Sequence, residues 1–138
     1  MPKSVAIIGD LFMLPEAFEQ ALVAACGDEV TIRIRKDNWP DEPMEHGYAV
    51  EGMDGLKEYF GTADDVVDFV GDAEILVTHL APLSRGMFER MPNLKLVAVS
   101  RGGPVNVDMA AAADHGVTVV NTPGRNSTAV AEFTLGAL

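Results

Sequence analysis

The segment Arg101-Gly102-Gly103 follows an apolar run, Leu94 to Val99, that has the composition of a β-strand. Two glycines after a strand let the backbone approach a ligand closely, and their N–H groups can receive an anion. The arginine beside them adds positive charge and the bidentate geometry that suits a carboxylate. A helix predicted to begin at Asn106 adds the positive end of its dipole. A carboxylate site is one interpretation. The alternative is a tight turn that needs glycine for a positive φ angle, with Arg101 solvated.

Other side chains that could do chemistry have weaker support. His79 follows a short apolar run, but the sequence offers no partner for it, so a structural role is favoured over acid–base chemistry. His46 lies in an acidic stretch, and His115 lies near the predicted end of a helix, where it suits the helix dipole. The histidines are dispersed and Cys26 is the only cysteine, so no metal site is predicted. The chain contains neither a Gly-x-Gly-x-x-Gly motif nor a Gly-Lys-Ser/Thr phosphate loop.

The elements that must position these residues alternate between strands and helices. Val5 to Ile8 is a continuous apolar run closed by a glycine, as in a strand buried on both faces. Val30 to Arg35 alternates apolar and polar residues, which indicates an edge strand. Further strands are predicted at residues 75–77, 94–99 and 117–120, helices lie between them, and a last helix begins at residue 126 or 127. Thr62, with Asp65 three residues later, resembles the capping box of one of these helices. Residues 36–52 are rich in Pro, Gly and acidic residues and are predicted to form a long loop.

Five strands with intervening helices imply a parallel sheet, because parallel neighbours are joined by crossovers that cover both faces. The flavodoxin-like strand order 2-1-3-4-5 places the alternating second strand at an edge, in agreement with its pattern. We therefore predict an α/β fold, a flavodoxin-like parallel five-stranded sheet with helices on both faces. Ligands of such sheets bind beyond the carboxyl ends of the strands, which here carry Asp10, His79, Arg101 and residues 121–124.

Composition narrows the range of partners. The 138 residues suffice for one compact domain, and 21 acidic against 10 basic residues give a formal net charge of -11. This charge repels phosphate backbones and anionic membranes, so neither nucleic acid nor a membrane is expected as a partner. No apolar segment approaches the roughly 20 residues needed to span a bilayer, and no signal sequence opens the chain. We expect a cytoplasmic protein in which Cys26 is a small core residue.

A series of short motifs runs through the last third of the chain: Pro92 to Val97, Asn106-Val107-Asp108, Ala111-Ala112, His115-Gly116-Val117, Val120 to Gly124, Asn126 and Val130-Ala131-Glu132. In this order and spacing they resemble the D-2-hydroxyacid dehydrogenase family, which includes phosphoglycerate, glycerate and formate dehydrogenases. The first ninety or so residues agree with the family only in their alternation of strands and helices. The family usually has glycine at position 101 and an acidic residue at position 105. Arg101 and Val105 therefore suggest a distinct subgroup.

The resemblance implies a substrate (catalytic) domain over residues 1–125. Residues 126–138 would be the start of an interdomain helix leading to an NAD-binding Rossmann domain that this chain does not contain. The implied reaction is oxidation of the CH–OH group of a D-2-hydroxy acid, or reduction of the 2-keto acid, with NAD or NADP, in a homodimer. The cofactor loop, the substrate-binding arginine and the Glu–His acid–base pair of the family come later in the chain. No catalytic residue is therefore expected here, and this chain alone is expected to be inactive.

The resemblance also implies roles for individual residues. Gly102 and Gly103, with Arg101, would bind the carboxylate of the substrate. Thr128 and Val130, in the last helix, would contact the nicotinamide side of the cofactor.

Two interpretations without enzyme activity stay open. One is a stand-alone flavodoxin-like module that binds a small acid. The other is a receiver-type signalling module, because Asp10 lies where such modules have acidic residues. Against the second, Gly9 stands where a paired acid is needed and no lysine ends the fifth strand.

Overall fold

The computed structural model describes residues 1–38 and 50–138, so most of the predicted loop at 36–52, including His46, lies outside the described residues. Strands and helices alternate along these ranges, and a short 3-10 turn, Gly27–Glu29, precedes the second strand. The elements are β1 (Lys3–Gly9), α1 (Pro15–Cys26), β2 (Val30–Lys36), α2 (Ala63–Val70), β3 (Ile75–Thr78), α3 (Arg85–Arg90), β4 (Leu96–Val99), α4 (Met109–Asp114), β5 (Thr118–Asn121) and α5 (Ser127–Gly136). No helix in the described ranges is both long and apolar enough to cross a membrane.

The five strands form one parallel sheet in the order β2-β1-β3-β4-β5, which confirms the flavodoxin-like order. β1 lies between β2 and β3, and its residue Val5 is opposite Ile32 on one side and Ile75 on the other. β2 is an edge strand, as its alternating sequence predicted, and the charged side chains of Arg33 and Arg35 are accommodated at that edge. β5 forms the other edge.

Successive residues of the strands pack on opposite faces of the sheet, as the period of a β-strand requires. Ile8 and Leu76 join a large core beneath α2, α3 and α4. Ile7 and Val77 join a smaller core beneath α1 on the other face. Helices therefore cover both faces, as predicted. The second face stays partly open over β5, where Val120 is 47% exposed, and α5 buries none of its residues.

The start of α4 differs from the prediction. The helix does not begin at Asn106 but after Asp108, whose carboxylate accepts a hydrogen bond from the Ala111 N–H at 2.8 Å. Asn106 is fully buried, and its side-chain amide donates instead to the Ala81 carbonyl at 2.8 Å. The predicted N-cap residue is therefore used to hold the segment that follows β3.

Two other predicted boundaries can be compared with the structure. The strand predicted at 94–99 begins two residues later, because the Leu94 N–H donates to the Met91 carbonyl in a turn. The cap predicted at Thr62 is confirmed, since its hydroxyl accepts from the Asp65 N–H.

Candidate functional site

The carboxyl ends of parallel strands meet at one edge of a sheet. Asp10 follows β1, His79 follows β3 and the Arg101 loop follows β4, while Arg125 lies in the loop between β5 and α5. Charged and polar side chains from four separate parts of the sequence are therefore gathered at this edge.

Asp10 is fixed by the turn that follows β1. One oxygen of its carboxylate, Oδ1, accepts hydrogen bonds from the N–H groups of Phe12 at 2.7 Å and Met13 at 2.8 Å. Gly9 makes this turn possible, because a Cβ at this position would lie 2.5 Å from Cδ of Pro15. Asp10 is only 3% exposed, because the chain folds back over it.

His79 has a partner, contrary to the interpretation from sequence. Its Nδ1 lies 2.6 Å from Oδ2 of Asp10, and the histidine is only 8% exposed. The two residues are far apart in sequence, but Ile8 of β1 is opposite Thr78 of β3, so the residues after each strand are neighbours. The second oxygen of the buried carboxylate is thereby satisfied by the imidazole.

Arg125 completes this group, which we call the Asp–His–Arg array: Asp10, His79 and Arg125. Its Nη2 lies 3.5 Å from Nε2 of His79, and its Nη1 lies 3.8 Å from Sδ of Met13. A guanidinium can only donate hydrogen bonds, so the tautomer that suits both contacts has Nε2 as the acceptor and its proton on Nδ1, which donates to Asp10. No motif or spacing in the sequence marks Arg125.

The glycines of the Arg101 loop are not explained by backbone geometry. Neither Gly102 nor Gly103 has a positive φ angle, so the tight-turn alternative, which needed one, is wrong on this point. A Cβ added at either position would meet no atom within 4 Å. Their effect is to leave open space above the backbone.

The carbonyl groups of this loop are engaged, whereas two of its N–H groups are available. The Thr122 N–H donates to the Arg101 carbonyl at 2.8 Å, and the Asn121 side-chain amide donates to the Gly102 carbonyl at 2.8 Å. Within residues 1–38 and 50–138, the N–H groups of Gly102 and Gly103 donate to no other group. Two consecutive exposed residues therefore carry backbone donors without a partner in these ranges, in the loop that follows β4.

The tight-turn interpretation required a solvated Arg101 guanidinium, but the guanidinium contacts protein groups instead. It forms an ion pair with the Glu58 carboxylate and donates a second hydrogen bond to the Glu58 carbonyl at 2.7 Å. The Arg101 side chain is only 12% exposed. Glu58 is the only non-glycine residue with a positive φ angle in the described ranges, at 50°, and such strained positions occur often at functional sites. Glu58 was missed because no local pattern marks it.

The remaining candidates are placed as follows. Thr128 and Val130 lie on α5 and are exposed. His115 has a structural role, because its Nδ1 lies 2.8 Å from the Ala111 carbonyl and its ring stacks on Phe88. In the part of the chain that the structure describes, no three His, Cys, Asp or Glu side chains are grouped so that they could hold a metal ion.

In parallel α/β sheets of this kind, ligands bind beyond the carboxyl ends of the strands, which is where the charged and polar groups described above lie. The model of the D-isomer specific 2-hydroxyacid dehydrogenase catalytic domain matches residues 33–135. That range is well over half of the sequence, and the chain therefore belongs to this family. The family's dehydrogenases are NAD(P)-dependent.

Individual relatives agree with this assignment. The Bacillus subtilis protein YoaD, assigned by its name to the 2-hydroxyacid dehydrogenases, is 48% identical over 105 residues, covering 64% of this chain and 30% of its own. The glycerate dehydrogenase of Methylorubrum extorquens is 30% identical over 105 residues, covering 76% of this chain and 30% of its own. This chain thus spans about a third of the length of these relatives.

The fold is also shared with a solved structure. The NAD+-bound 3-phosphoglycerate dehydrogenase of Entamoeba histolytica matches with a TM-score of 0.66 at 16% identity, over 99% of this chain and 38% of that one. At this identity the likeness establishes the fold alone.

Proposed function

We propose that this chain is the substrate-binding part of a dehydrogenase that interconverts a D-2-hydroxy acid and its 2-keto acid with NAD or NADP. Residues 1–125 form the substrate domain in this proposal, and residues 126–138 lead to a cofactor domain. The observation that carries the proposal is the pair of available N–H groups at Gly102 and Gly103, in a chain of this family. Family membership also favours this function over a receiver-type module.

The loop suits the carboxylate that every 2-hydroxy acid carries. Charge-assisted hydrogen bonds from backbone N–H groups to a carboxylate are short and strong, and two adjacent donors match its two oxygens. The loop carbonyls, which would repel an anion, are already occupied by Asn121 and Thr122. The loop therefore presents donors to a ligand without competing acceptors.

Arg101 has a secondary role in this proposal. Its charge is balanced by Glu58, so a substrate carboxylate would have to share the guanidinium with that side chain. The ion pair also fixes the start of the loop against the segment that contains Glu58. We therefore expect Arg101 to contribute less to substrate binding than the two amides do.

The residues of this chain could contact the nicotinamide end of a cofactor but not its phosphates. When bound, the cofactor carries the hydride to or from the carbon that bears the hydroxyl group of the acid. Thr128 and Val130 are exposed on α5 and are accessible to the nicotinamide side. The chain has no glycine-rich phosphate loop, so the phosphates would be held by the cofactor domain.

The exposed surface of α5 also bears on assembly. Val130, Phe133 and Leu135 are exposed large apolar residues, and clusters of this kind normally mark an interface. We propose that α5 packs against the cofactor domain or a second subunit, and that the enzyme is a homodimer.

Replacement of Gly103 by valine in the complete enzyme tests the carboxylate site. The side chain would enter open space, so the melting temperature should change little, but it would obstruct the approach of an anion to the amides. We expect the KM for the 2-keto acid to rise about 10- to 100-fold, the loss of one or two charge-assisted hydrogen bonds, with a smaller change in kcat. Arg101→Ala should raise KM less, by about threefold to tenfold.

Two measurements serve as controls. The dissociation constant for NADH should be unchanged, because the phosphates bind elsewhere, and the thermal midpoint should report intact folding. A Gly103→Val enzyme with a lower melting temperature and an unaltered KM would show that the loop is only a turn.

A further inference from the structure

We infer that Arg125, held by His79 and Asp10, is a second anion-binding point, and that the substrate is a 2-hydroxy acid with a second anionic group, a carboxylate or a phosphate. This inference rests on the proposed function and specifies the substrate of the same site. Two observations support it: Arg125 lacks the carboxylate partner that the other arginines have, and the Asp–His–Arg array holds its guanidinium in place.

Arg125 differs from every other arginine in the chain. All six arginines lie in the described residues, and five contact a carboxylate within 4.0 Å, namely Arg33, Arg35, Arg85, Arg90 and Arg101. Arg125 has no such contact within residues 1–38 and 50–138. In a chain with a formal net charge of -11, acidic partners are abundant, so an arginine without one is a specific feature of this edge of the sheet.

The partners of Arg125 hold it without neutralising it. Nε2 of His79 and Sδ of Met13 are both uncharged acceptors. Asp10 is the negatively charged member of the array, and it lies on the far side of the imidazole from Arg125. Its carboxylate already accepts from two backbone N–H groups and from Nδ1 of His79. Arg125 is itself exposed, so its remaining N–H donors and its full charge are available to a ligand.

Arg125 is connected to the loop that would hold the first carboxylate. Its N–H donates to the Thr122 carbonyl, and the Thr122 N–H donates to the Arg101 carbonyl at 2.8 Å. The positive end of α5, which begins two residues after Arg125, strengthens the same field. An acid with an anionic group at each end would therefore use the glycine amides at one end and Arg125 at the other.

Matched pairs of 2-keto acids test this inference. 2-Oxoglutarate and 2-oxopentanoate have the same chain length and differ in the terminal carboxylate, while 3-phosphohydroxypyruvate and hydroxypyruvate differ in the phosphate. Their dissociation constants would be measured by calorimetry, and kcat/KM by NADH oxidation, for the complete enzyme and for Arg125→Gln. We expect Arg125→Gln to weaken binding of one or both of the acids with two anionic groups, called dianions by the number of these groups, by about tenfold or more. Binding of the matched acids with one anionic group, the monoanions, should weaken by less than about threefold.

The phosphate and carboxylate pairs also separate the two sources of the second charge. A selective loss in the 2-oxoglutarate pair identifies a carboxylate, and a selective loss in the phosphorylated pair identifies a phosphate. Arg125→Lys, which keeps the charge but not the planar guanidinium, should retain part of the preference for the dianion.

Asp10→Asn tests whether His79 positions Arg125. The side-chain oxygen of the asparagine would still accept from the Phe12 and Met13 N–H groups, so its NH2 group would face Nδ1 of His79. Nδ1 must then accept, and the imidazole proton moves to Nε2. There it would face the N–H donors of Arg125. The 15N chemical shifts of the His79 ring should report this exchange of tautomers, and the preference for the dianion should fall as in Arg125→Gln. An exchanged tautomer with an unchanged preference would overturn the positioning role.

Equal weakening of mono- and dianions in Arg125→Gln, or no weakening, would overturn the second anion point while leaving the proposed function intact. Failure of the unaltered complete enzyme to bind or reduce any of the four 2-keto acids would instead overturn the proposed function itself.

Discussion

Asp10→Ala should destabilise the chain by about 3 kcal/mol. The substitution removes three hydrogen bonds to a charged acceptor, each worth about 1.5–3 kcal/mol. Two of the donors, the N–H groups of Phe12 and Met13, lie in an exposed turn and can regain water, and the cost of burying a carboxylate is also removed. The loss that remains is chiefly the unsatisfied N–H of buried His79, which costs about 1–3 kcal/mol, together with whatever the two turn N–H groups do not regain from water.

Urea and thermal denaturation of the chain would measure this effect. A loss of about 3 kcal/mol corresponds to a thermal midpoint lower by roughly 10 °C in a domain of this size. Asp72→Ala is the matched control: it removes the same charge from an exposed ion pair with Arg33 that solvent screens, so it should destabilise the chain much less than Asp10→Ala does. If the two variants unfolded within about 0.5 kcal/mol of one another, the reasoning about the buried Asp10–His79 pair would be refuted.

Three further predictions follow from local geometry. Gly9→Ala should lower the free energy of unfolding by about 1–3 kcal/mol, because its Cβ would overlap the proline ring at the start of α1. Gly86→Ala, inside a helix with open space around it, should be neutral or stabilising by up to about 1 kcal/mol in the same urea titration. Asp108→Ala should lower the free energy of unfolding by about 1 kcal/mol, because the cap of α4 is lost. Asp114→Ala, which breaks an exposed ion pair, should lower it by about half as much or less in the same denaturation measurement. Equal losses would argue against the cap. Phe133, which is 80% exposed, should contribute to self-association of the chain, so Phe133→Ser should lower the sedimentation coefficient at high protein concentration, and a monomeric parent chain would contradict this.

The sheet could be predicted because each strand carries its own local signal. Val5 to Ile8 is apolar without interruption and proved to be central, whereas Val30 to Lys36 alternates and proved to be at the edge. The start of α4 could not be predicted in this way, because Asn106 and Asp108 are both good cap residues two positions apart. The choice between them is made by a tertiary contact, the hydrogen bond from Asn106 to the Ala81 carbonyl, which no local pattern contains.

The candidate site was predictable only in part, for a similar reason. The Arg101-Gly102-Gly103 loop is one continuous segment, so its donors could be recognised from sequence. The partners of its neighbours come from elsewhere: Asp10 and His79 meet because β1 pairs with β3, and Glu58 reaches Arg101 from the segment before α2. The partner of a side chain on a neighbouring strand depends on strand order, which residue type alone does not predict.

Arg125 lies two residues before α5, so its loop would be the pivot of any rotation of that helix. The ten residues of the helix extend about 15 Å, so a rotation of about 10° around its first residue would carry the far end through about 2.6 Å. Within the described residues α5 buries none of its side chains, so little packing opposes such a rotation. Arg125 would hardly move, because it lies beside the axis of rotation and its loop is tied to Arg101 through Thr122. A body that packs on α5 could therefore change its angle to the sheet while the spacing between the two proposed anion-binding groups stays constant.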